Sequence, residues 1–194
     1  MSSSKDSFSP EMIKIFKIFG LGSLLFVLLL SFFNERRANN SGDEKPMMRI
    51  TDADRLFFKN LRAIHYDVEG RDDAKINIYR HGKRLKDQST PHLNLSILIN
   101  RIKDEAYIFV EPQPDELPLR LQWENKLSGE EGELVFYGGD TFAHYEFVSN
   151  LIPLLEENIK VEMAVNDSWQ AVLEDADVLK TTIKDYYRLT NNPK

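Results

Sequence analysis

The sequence predicts an α+β fold, in which an N-terminal transmembrane helix precedes a domain made of an antiparallel β-meander packed with two or three helices. Two observations support this class. An apolar run near the N-terminus is long enough to cross a bilayer. Downstream, segments that alternate apolar and polar residues are clustered, whereas parallel α/β folds alternate strands with helices.

The apolar run, residues 13–33, is predicted to be a retained membrane anchor. A helix of this length reaches about 31 Å at about 1.5 Å per residue, close to the roughly 30 Å hydrocarbon core of a bilayer. Ser9 suits the cap of this helix and Pro10 its first position. Lys14 and Lys17 lie near its end, from where long side chains reach the headgroups. The apolar residues expected to anchor it include Ile18, Leu25, Phe26, Leu29 and Phe33.

A cleaved signal peptide is the alternative for this run, and it requires small residues after the apolar core. The residues that follow, Phe32, Phe33 and Asn34, offer no such site. A buried helix of a soluble protein is disfavoured because the run is apolar on every face. We therefore predict a single-pass protein of the plasma or inner membrane. The positive-inside rule compares the numbers of Lys and Arg on the two sides of the span, and these are nearly equal here, with lysines before the run and Arg36–Arg37 after it. Because the N-terminal tail is short, we slightly favour an exported C-terminal domain.

Composition sets the predicted domain boundaries. Residues 1–12 form an N-terminal tail, residues 13–33 the transmembrane anchor, and residues 34–46 a polar, flexible tether. Residues 47–190 form the globular α+β domain, and residues 191–194 form a C-terminal tail.

Helical spacing predicts that the first helix of the domain begins after Thr51, which can cap it. Spacings of four, four and three residues place four apolar side chains on its expected core face, namely Ala53, Phe57, Leu61 and Ile64.

Six alternating segments predict the strands of the meander. Their regular apolar faces comprise Ile64, Tyr66 and Val68; Ala74, Ile76 and Ile78; Leu93, Leu95, Ile97 and Ile99; Ala106, Ile108 and Val110; Leu119, Leu121 and Trp123; Leu134 and Phe136. Further bulky residues fall on the opposite face, namely Tyr79, Tyr107, Phe109, Val135 and Tyr137. Either helices cover both sides of the sheet, or an aromatic surface is exposed for a partner.

The remaining elements are a helix over residues 141–157 that Pro153 should interrupt, a hairpin, and a final helix over residues 175–189. The hairpin strands carry Ile159, Val161, Met163 and Val165 on one side and the segment SWQAVL on the other. The final helix has an apolar stripe of Leu179, Ile183 and Tyr186.

Residues able to carry out chemistry are few and scattered. The chain has no cysteine, which excludes disulfides, thiolate metal sites and a cysteine nucleophile. Its four histidines, His65, His81, His92 and His144, lack metal-binding spacing, and neither a nucleotide-binding glycine pattern nor a nucleophile elbow occurs. We therefore predict no cofactor, no metal and a non-enzymatic role, with an enzyme whose dispersed site surrounds His65 or His144 as an alternative.

Charge is split along the chain: basic residues outnumber acidic ones over residues 49–103, and the reverse holds over residues 104–194. The strongest basic cluster is predicted to contact an anionic partner or lipid headgroups, and consists of Arg80, Lys83, Arg84 and Lys86. Nucleic acid is not an expected partner, because the chain has a net charge of −6 and is predicted to be membrane-tethered.

Together these features predict a single-pass membrane-anchored accessory or scaffold subunit of an envelope or membrane protein complex, acting by protein–protein interaction. Its expected partners are the membrane itself, other membrane or envelope proteins, and anionic lipid headgroups. The other hypothesis from a binding class is a tethered module that holds a lipid or small molecule between the sheet and its helices.

Overall fold

The computed structural model describes residues 9–32, 48–87, 89–166, 168–172 and 176–190. The chain divides into two compact units, Met1–Arg37 and Ala38–Lys194. The predicted tether, residues 34–46, and the predicted C-terminal tail, residues 191–194, lie outside the described residues.

The first unit contains one helix, α1 (Pro10–Phe32). Ser9 caps it as predicted, because the Met12 backbone N–H donates to the Ser9 hydroxyl oxygen at 3.3 Å. Its 22-residue segment Pro10–Ser31 is long and apolar enough to cross a membrane. Four of the predicted anchor residues are exposed along it, namely Ile18, Leu25, Phe26 and Leu29. The fifth, Phe33, lies outside the described residues. Helix α1 is thus consistent with a single-pass membrane protein.

The second unit is an α+β domain, which confirms the predicted fold class. Its α-helices are α2 (Asp52–Phe57), α3 (Thr141–Leu151) and α4 (Ala176–Leu189). A π-helical turn (Phe58–Arg62) and a 3-10 turn (Ala63–His65) continue α2, and a second 3-10 turn (Ile152–Leu155) continues α3. The strands are β1 (Tyr66–Arg71), β2 (Ile76–His81), β3 (His92–Asn100), β4 (Ala106–Gln113), β5 (Leu119–Asn125), β6 (Glu131–Phe136), β7 (Ile159–Val165) and β8 (Ser168–Ala171).

The strands form two antiparallel sheets rather than one continuous meander. The first sheet has the order β1-β2-β3-β4 and the second the order β6-β5-β7-β8. The break falls between β4 and β5, where Pro114 and Pro118 have no backbone N–H with which to continue a ladder. Strand β5 instead pairs with β7, with Leu121 opposite Met163. The expected run of six strands is therefore split after its fourth member.

The two sheets share one hydrophobic core, and helix α3 is the helix that packs on both of them. Helix α4 packs on β3 and β4, whereas α3 packs on β4 of the first sheet and β6 of the second. The stripe predicted for α4, Leu179, Ile183 and Tyr186, is fully buried. The predicted interruption at Pro153 is confirmed, because α3 ends at Leu151 and a 3-10 turn follows.

The core face predicted for the first helix of the domain is wrong. Thr51 caps α2 as expected, with the Asp54 backbone N–H donating to its hydroxyl at 3.2 Å. However, Ala53, Leu61 and Ile64 are exposed, whereas Phe58 is buried. For Leu61 and Ile64 the cause is the π-helical turn, whose i→i+5 hydrogen bonds rotate these residues away from the positions that α-helical spacing assigns them.

The face predicted for β2 is also reversed. Ile76 and Ile78 are only half-buried, whereas Tyr79 is buried in the core, where its ring meets Phe58 edge-on at 5.1 Å. Alternation places residues on two faces but does not say which one is covered. A Tyr ring buries more area than an Ile side chain, which favours the aromatic face.

Most other strand assignments are confirmed. Among the residues predicted to face the core, those buried are Tyr66, Leu93, Leu95, Ile97, Ile99, Ala106, Ile108, Val110, Leu119, Leu121, Phe136, Val161, Met163 and Val165. Val68 is exposed. Of the bulky residues predicted on the opposite face, Tyr137 is exposed and Tyr107, Phe109 and Val135 are half-buried.

Candidate functional site

The predicted basic cluster lies at the end of β2 and in the loop after it, and most of its charge is paired. Asp67 accepts hydrogen bonds from Arg84 at 2.6 Å and from Lys86 at 3.0 Å. These two bonds lower the pKa of Asp67, so the carboxylate stays ionised at neutral pH. No ion pair is recorded for Lys83 within the described residues, and its side chain is exposed.

Arg80 belongs to a second network on the outer face of the first sheet. Its guanidinium donates to both carboxylate oxygens of Glu111 at 2.9 Å and to Glu69 at 2.6 Å. The buried Ser96 hydroxyl also donates to Glu111, at 2.9 Å. Strand pairing brings these groups together. Arg80 lies opposite Ser96 on one side and opposite Asp67, two residues before Glu69, on the other. Glu111 lies opposite Asn94, two residues before Ser96. Three of the four predicted cationic contacts therefore already have intramolecular carboxylate partners.

The histidines are dispersed. His81, His92 and His144 are buried and His65 is exposed. Among the described residues, no group of three or more His, Cys, Asp or Glu side chains is placed to hold a metal ion.

His144 lines a cleft between β4 and the start of α3. Its Nδ1 accepts a hydrogen bond from the Val110 backbone N–H at 3.1 Å, and its ring stacks on Phe109 with centroids 3.7 Å apart. Burial lowers the pKa of His144, so the imidazole is neutral at pH 7. Because Nδ1 accepts, the proton of the neutral ring resides on Nε2. The cleft, of about 580 Å³, also contains Glu111 and Asp115.

A buried charged group joins α4 to the π-helical turn. Asp185 accepts two hydrogen bonds from the Arg62 guanidinium, at 2.8 and 2.9 Å, and one from the Tyr66 hydroxyl at 2.8 Å. Burial and the nearby Asp185 carboxylate raise the pKa of Tyr66, so the phenol stays protonated. With every charge paired, this cluster is suited to holding elements together.

The outer face of the second sheet carries an exposed aromatic residue and two clefts. The inward residues of β5 and β7, such as Leu121 and Met163, contribute to the core, so the alternate residues point outward. This outer face comprises Arg120, Gln122, Glu124, Glu131, Glu133, Val135, Lys160, Glu162, Ala164, Trp169 and Ala171. Each of these residues is half-buried or exposed.

Trp169 is the main apolar side chain of this outer face. It lies opposite Ala164, a small residue, and the Arg120 guanidinium carbon sits 5.8 Å from its ring centroid. Arg120 in turn donates to Glu133 at 2.6 Å, which connects strands β8, β5 and β6 across the sheet. A cation over an indole ring stabilises the arrangement and orients the exposed aromatic surface. Trp169 is 38% exposed, which is large for a tryptophan.

Clefts lie on two sides of Trp169. One, of about 440 Å³, reaches Pro118 and Arg120, and the other, of about 460 Å³, reaches Glu133 and Glu162. A hydrogen bond from Arg120 lowers the pKa of Glu133, and one from Lys160 lowers that of Glu162. Both carboxylates are therefore ionised at neutral pH. With Glu124 and Glu131 also on this face, its net charge is negative.

Sequence reasoning did not identify this outer face. In SWQA, Trp169 and Ala171 form the apolar phase and Ser168 and Gln170 the polar one, so alternation alone assigns Trp169 to the covered side of the sheet. What the sequence does not reveal is that β8 pairs with β7 and brings Trp169 near Arg120, 49 positions earlier in the chain.

Comparisons of the chain with protein-family models, with curated proteins and with solved structures find no match.

Proposed function

We propose that this protein is a single-pass membrane-anchored accessory or scaffold subunit of an envelope or membrane protein complex, and that its folded domain binds a basic segment of a partner protein. Helix α1 supports the anchoring role by its length and apolar composition. The partner-binding role rests on one observation, the exposed Trp169 between two clefts on the acidic outer face of the second sheet.

In protein–protein interfaces, much of the binding energy comes from aromatic side chains that pack into pockets, and the charged residues around them contribute specificity. Trp169 supplies the anchor, and Glu131, Glu133 and Glu162 supply negative charge around it. A partner segment rich in Lys or Arg, with an apolar side chain to enter a cleft, complements this face. Since the charges are exposed, binding should weaken as ionic strength rises.

The test is a pull-down of the tagged full-length protein in mild detergent, with the stoichiometry of recovered partners quantified. One or two membrane proteins recovered near equimolar amounts are expected. Trp169→Ala should reduce their recovery at least tenfold, whereas Leu127→Ala should not, although Leu127 is 83% exposed in the β5–β6 turn. Recovery that is equal for both variants would rule out this face as the binding site. A protein that is always recovered alone would contradict the accessory role.

The proposed location is the plasma or inner membrane, with the C-terminal domain on the exported side. The absence of cysteine makes a direct test possible, because Leu127→Cys introduces the only thiol in the chain. In intact cells or spheroplasts, a membrane-impermeant maleimide should label this thiol without permeabilisation. Labelling that requires permeabilisation would place the domain on the cytoplasmic side instead.

A tethered module for a small molecule or lipid is a second candidate, favoured by the cleft around His144. Phe109, Phe136 and Leu117 supply apolar walls, and the Nε2–H of His144 is a hydrogen-bond donor. Native mass spectrometry of the detergent-released protein tests this function. A bound species that disappears in His144→Leu but persists in His65→Leu would support it, and a protein mass free of ligand would count against it.

A further inference from the structure

The surface formed by α2 and the turns that follow it carries an apolar stripe, defined here as Leu56, Leu61 and Ile64. These side chains are 60%, 56% and 81% exposed. Leu61 follows Leu56 by five positions, and Ile64 follows Leu61 by three. The i→i+5 bonding of a π-helix and the i→i+3 bonding of a 3-10 helix bring residues at these spacings to one side. The π-helical turn thus explains both why the predicted core face of this helix is wrong and why these three apolar side chains are exposed on one side.

The stripe is bordered by cations. Lys59 is exposed within the π-helical turn. Lys83 lies in the loop held next to the end of the stripe, because the Gly82 backbone N–H donates to the His65 carbonyl at 2.8 Å. Three adjacent apolar side chains with lysines beside them resemble the interfacial helices that enter the headgroup region of a bilayer. An anionic lipid surface complements both the apolar and the cationic part.

The covalent connection to α1 brings this surface near a bilayer. Sixteen residue steps separate Phe32 from Met48. At no more than about 3.6 Å per residue, this segment spans at most about 58 Å. Leu56 follows only eight residues later. A domain tethered this closely meets the lipid surface at a high effective concentration, which favours a contact too weak to form from free solution.

We propose that the apolar stripe Leu56–Leu61–Ile64, with Lys59 and Lys83 beside it, docks the folded domain on the anionic lipid surface of the membrane that α1 anchors. This inference rests on the anchoring part of the proposed function and not on the proposed side of the membrane. Docking places the stripe against the lipid. It therefore fixes the orientation of the domain relative to the membrane and to partner proteins in that membrane.

The test uses the full-length protein in vesicles of phosphatidylcholine and phosphatidylglycerol at a 3:1 ratio, some lipids carrying a nitroxide quencher near the headgroup. Because the chain has no cysteine, one environment-sensitive fluorophore can be placed at Asn60→Cys, an exposed position within the stripe's span, and separately at Leu127→Cys as the control. Quenching at Asn60→Cys is expected to exceed that at Leu127→Cys at least threefold.

Adding Leu56→Ser and Ile64→Ser should remove this difference, and the exposed positions of both residues mean that folding should be preserved. Vesicles of phosphatidylcholine alone should reduce the difference, and a difference of the same size in these vesicles would overturn the role of the lysines and the anionic surface. Equal quenching at the two labels in firmly inserted protein would overturn docking and leave anchoring intact. Quenching at Asn60→Cys in protein that alkaline carbonate extracts would support docking and contradict the anchor. Protein that does not float with vesicles would overturn both.

Discussion

Arg62 and Asp185 meet in a two-pronged ion pair, with the guanidinium Nε and one terminal nitrogen donating to separate carboxylate oxygens at 2.8 and 2.9 Å. The pair joins residues 123 positions apart in the chain. Tyr66 closes the cluster by donating to the same carboxylate. The Asp185 side chain is only 5% exposed, so the charge depends on these partners for its solvation.

Removal of Arg62 should therefore destabilise the domain strongly. Arg62→Ala leaves the buried Asp185 carboxylate without its cation, and we expect the free energy of unfolding to fall by about 3 kcal/mol. Urea unfolding of the full-length protein in mild detergent, followed by tryptophan fluorescence, measures this change. Arg71→Ala is the control, since the Arg71–Asp73 pair is exposed and should contribute little. An equally small effect for both variants would contradict the importance of the buried pair.

Stability should decrease as the pH falls from 7.5 to 5.0. Burial lowers the pKa of His144 and of His81 in the folded state, so in this range the unfolded chain binds more protons than the folded one. The contribution of each neutral histidine is complete above its unfolded pKa of about 6.5 and is lost as the pH drops toward its folded pKa.

Unfolding midpoints of the wild type and of His144→Gln at these two pH values test this prediction. Glutamine cannot titrate, and its amide oxygen can accept the Val110 N–H, so the variant should show a smaller pH dependence than the wild type. Leu127→Gln, at an exposed position and without a titratable group, should retain the wild-type dependence. A pH dependence that is unchanged in His144→Gln would show that His144 does not contribute.

The elements that sequence reasoning predicted well are those whose periodicity stays regular. The stripe of α4 follows α-helical spacing throughout, and its three predicted residues, Leu179, Ile183 and Tyr186, are all buried. Leu61 and Ile64 were assigned to the core by the same rule and are exposed, since a local change to π-helical and 3-10 bonding alters the spacing. A single sequence carries no clear signal for such a change.

The candidate surface was missed for a different reason. Trp169 and Arg120 come together only because β7 inserts between β5 and β8, a pairing that is non-local. The four-residue basic cluster was conspicuous in sequence, yet its carboxylate partners Asp67, Glu69 and Glu111 lie on other strand segments. Local charge counts therefore overstated how much positive charge the fold leaves unpaired.

Gly132 should not tolerate a side chain. A Cβ at this position would lie 2.7 Å from the ring of Trp123, its cross-strand partner. Gly132→Ala is expected to displace the indole and lower the unfolding free energy by about 1–3 kcal/mol. Gly70→Ala is a matched control in another strand, because its Cβ would be in ordinary contact with the Asn77 side chain at 3.8 Å. Emission of Trp123 in a Trp169→Phe background reports the displacement, and identical spectra and stabilities for both glycine variants would contradict it.

The cap of α3 should be a measurable contributor to stability. The Asp140 side chain accepts hydrogen bonds from the backbone N–H groups of Phe142 at 3.0 Å and Ala143 at 3.1 Å. Asp140→Ala leaves both donors without this partner and should cost about 1 kcal/mol, whereas Asp140→Asn should retain most of the stability. Thermal unfolding of both variants checks the ranking. Equal losses in the two variants would point to the charge of Asp140, and not to its capping bonds, as the stabilising feature.

Helix α1 should lose its hold on the bilayer when charge enters its centre. An Arg near the middle of a transmembrane helix opposes insertion by about 3 kcal/mol, so Leu25→Arg combined with Leu29→Arg should outweigh the few kcal/mol that the apolar residues provide. Leu25→Ile combined with Leu29→Ile preserves apolar character and serves as the control. The fraction of protein that resists alkaline carbonate extraction should fall sharply in the arginine variant and stay unchanged in the isoleucine variant. If the arginine variant resists extraction as well as the wild type does, α1 is not what holds the protein in the membrane.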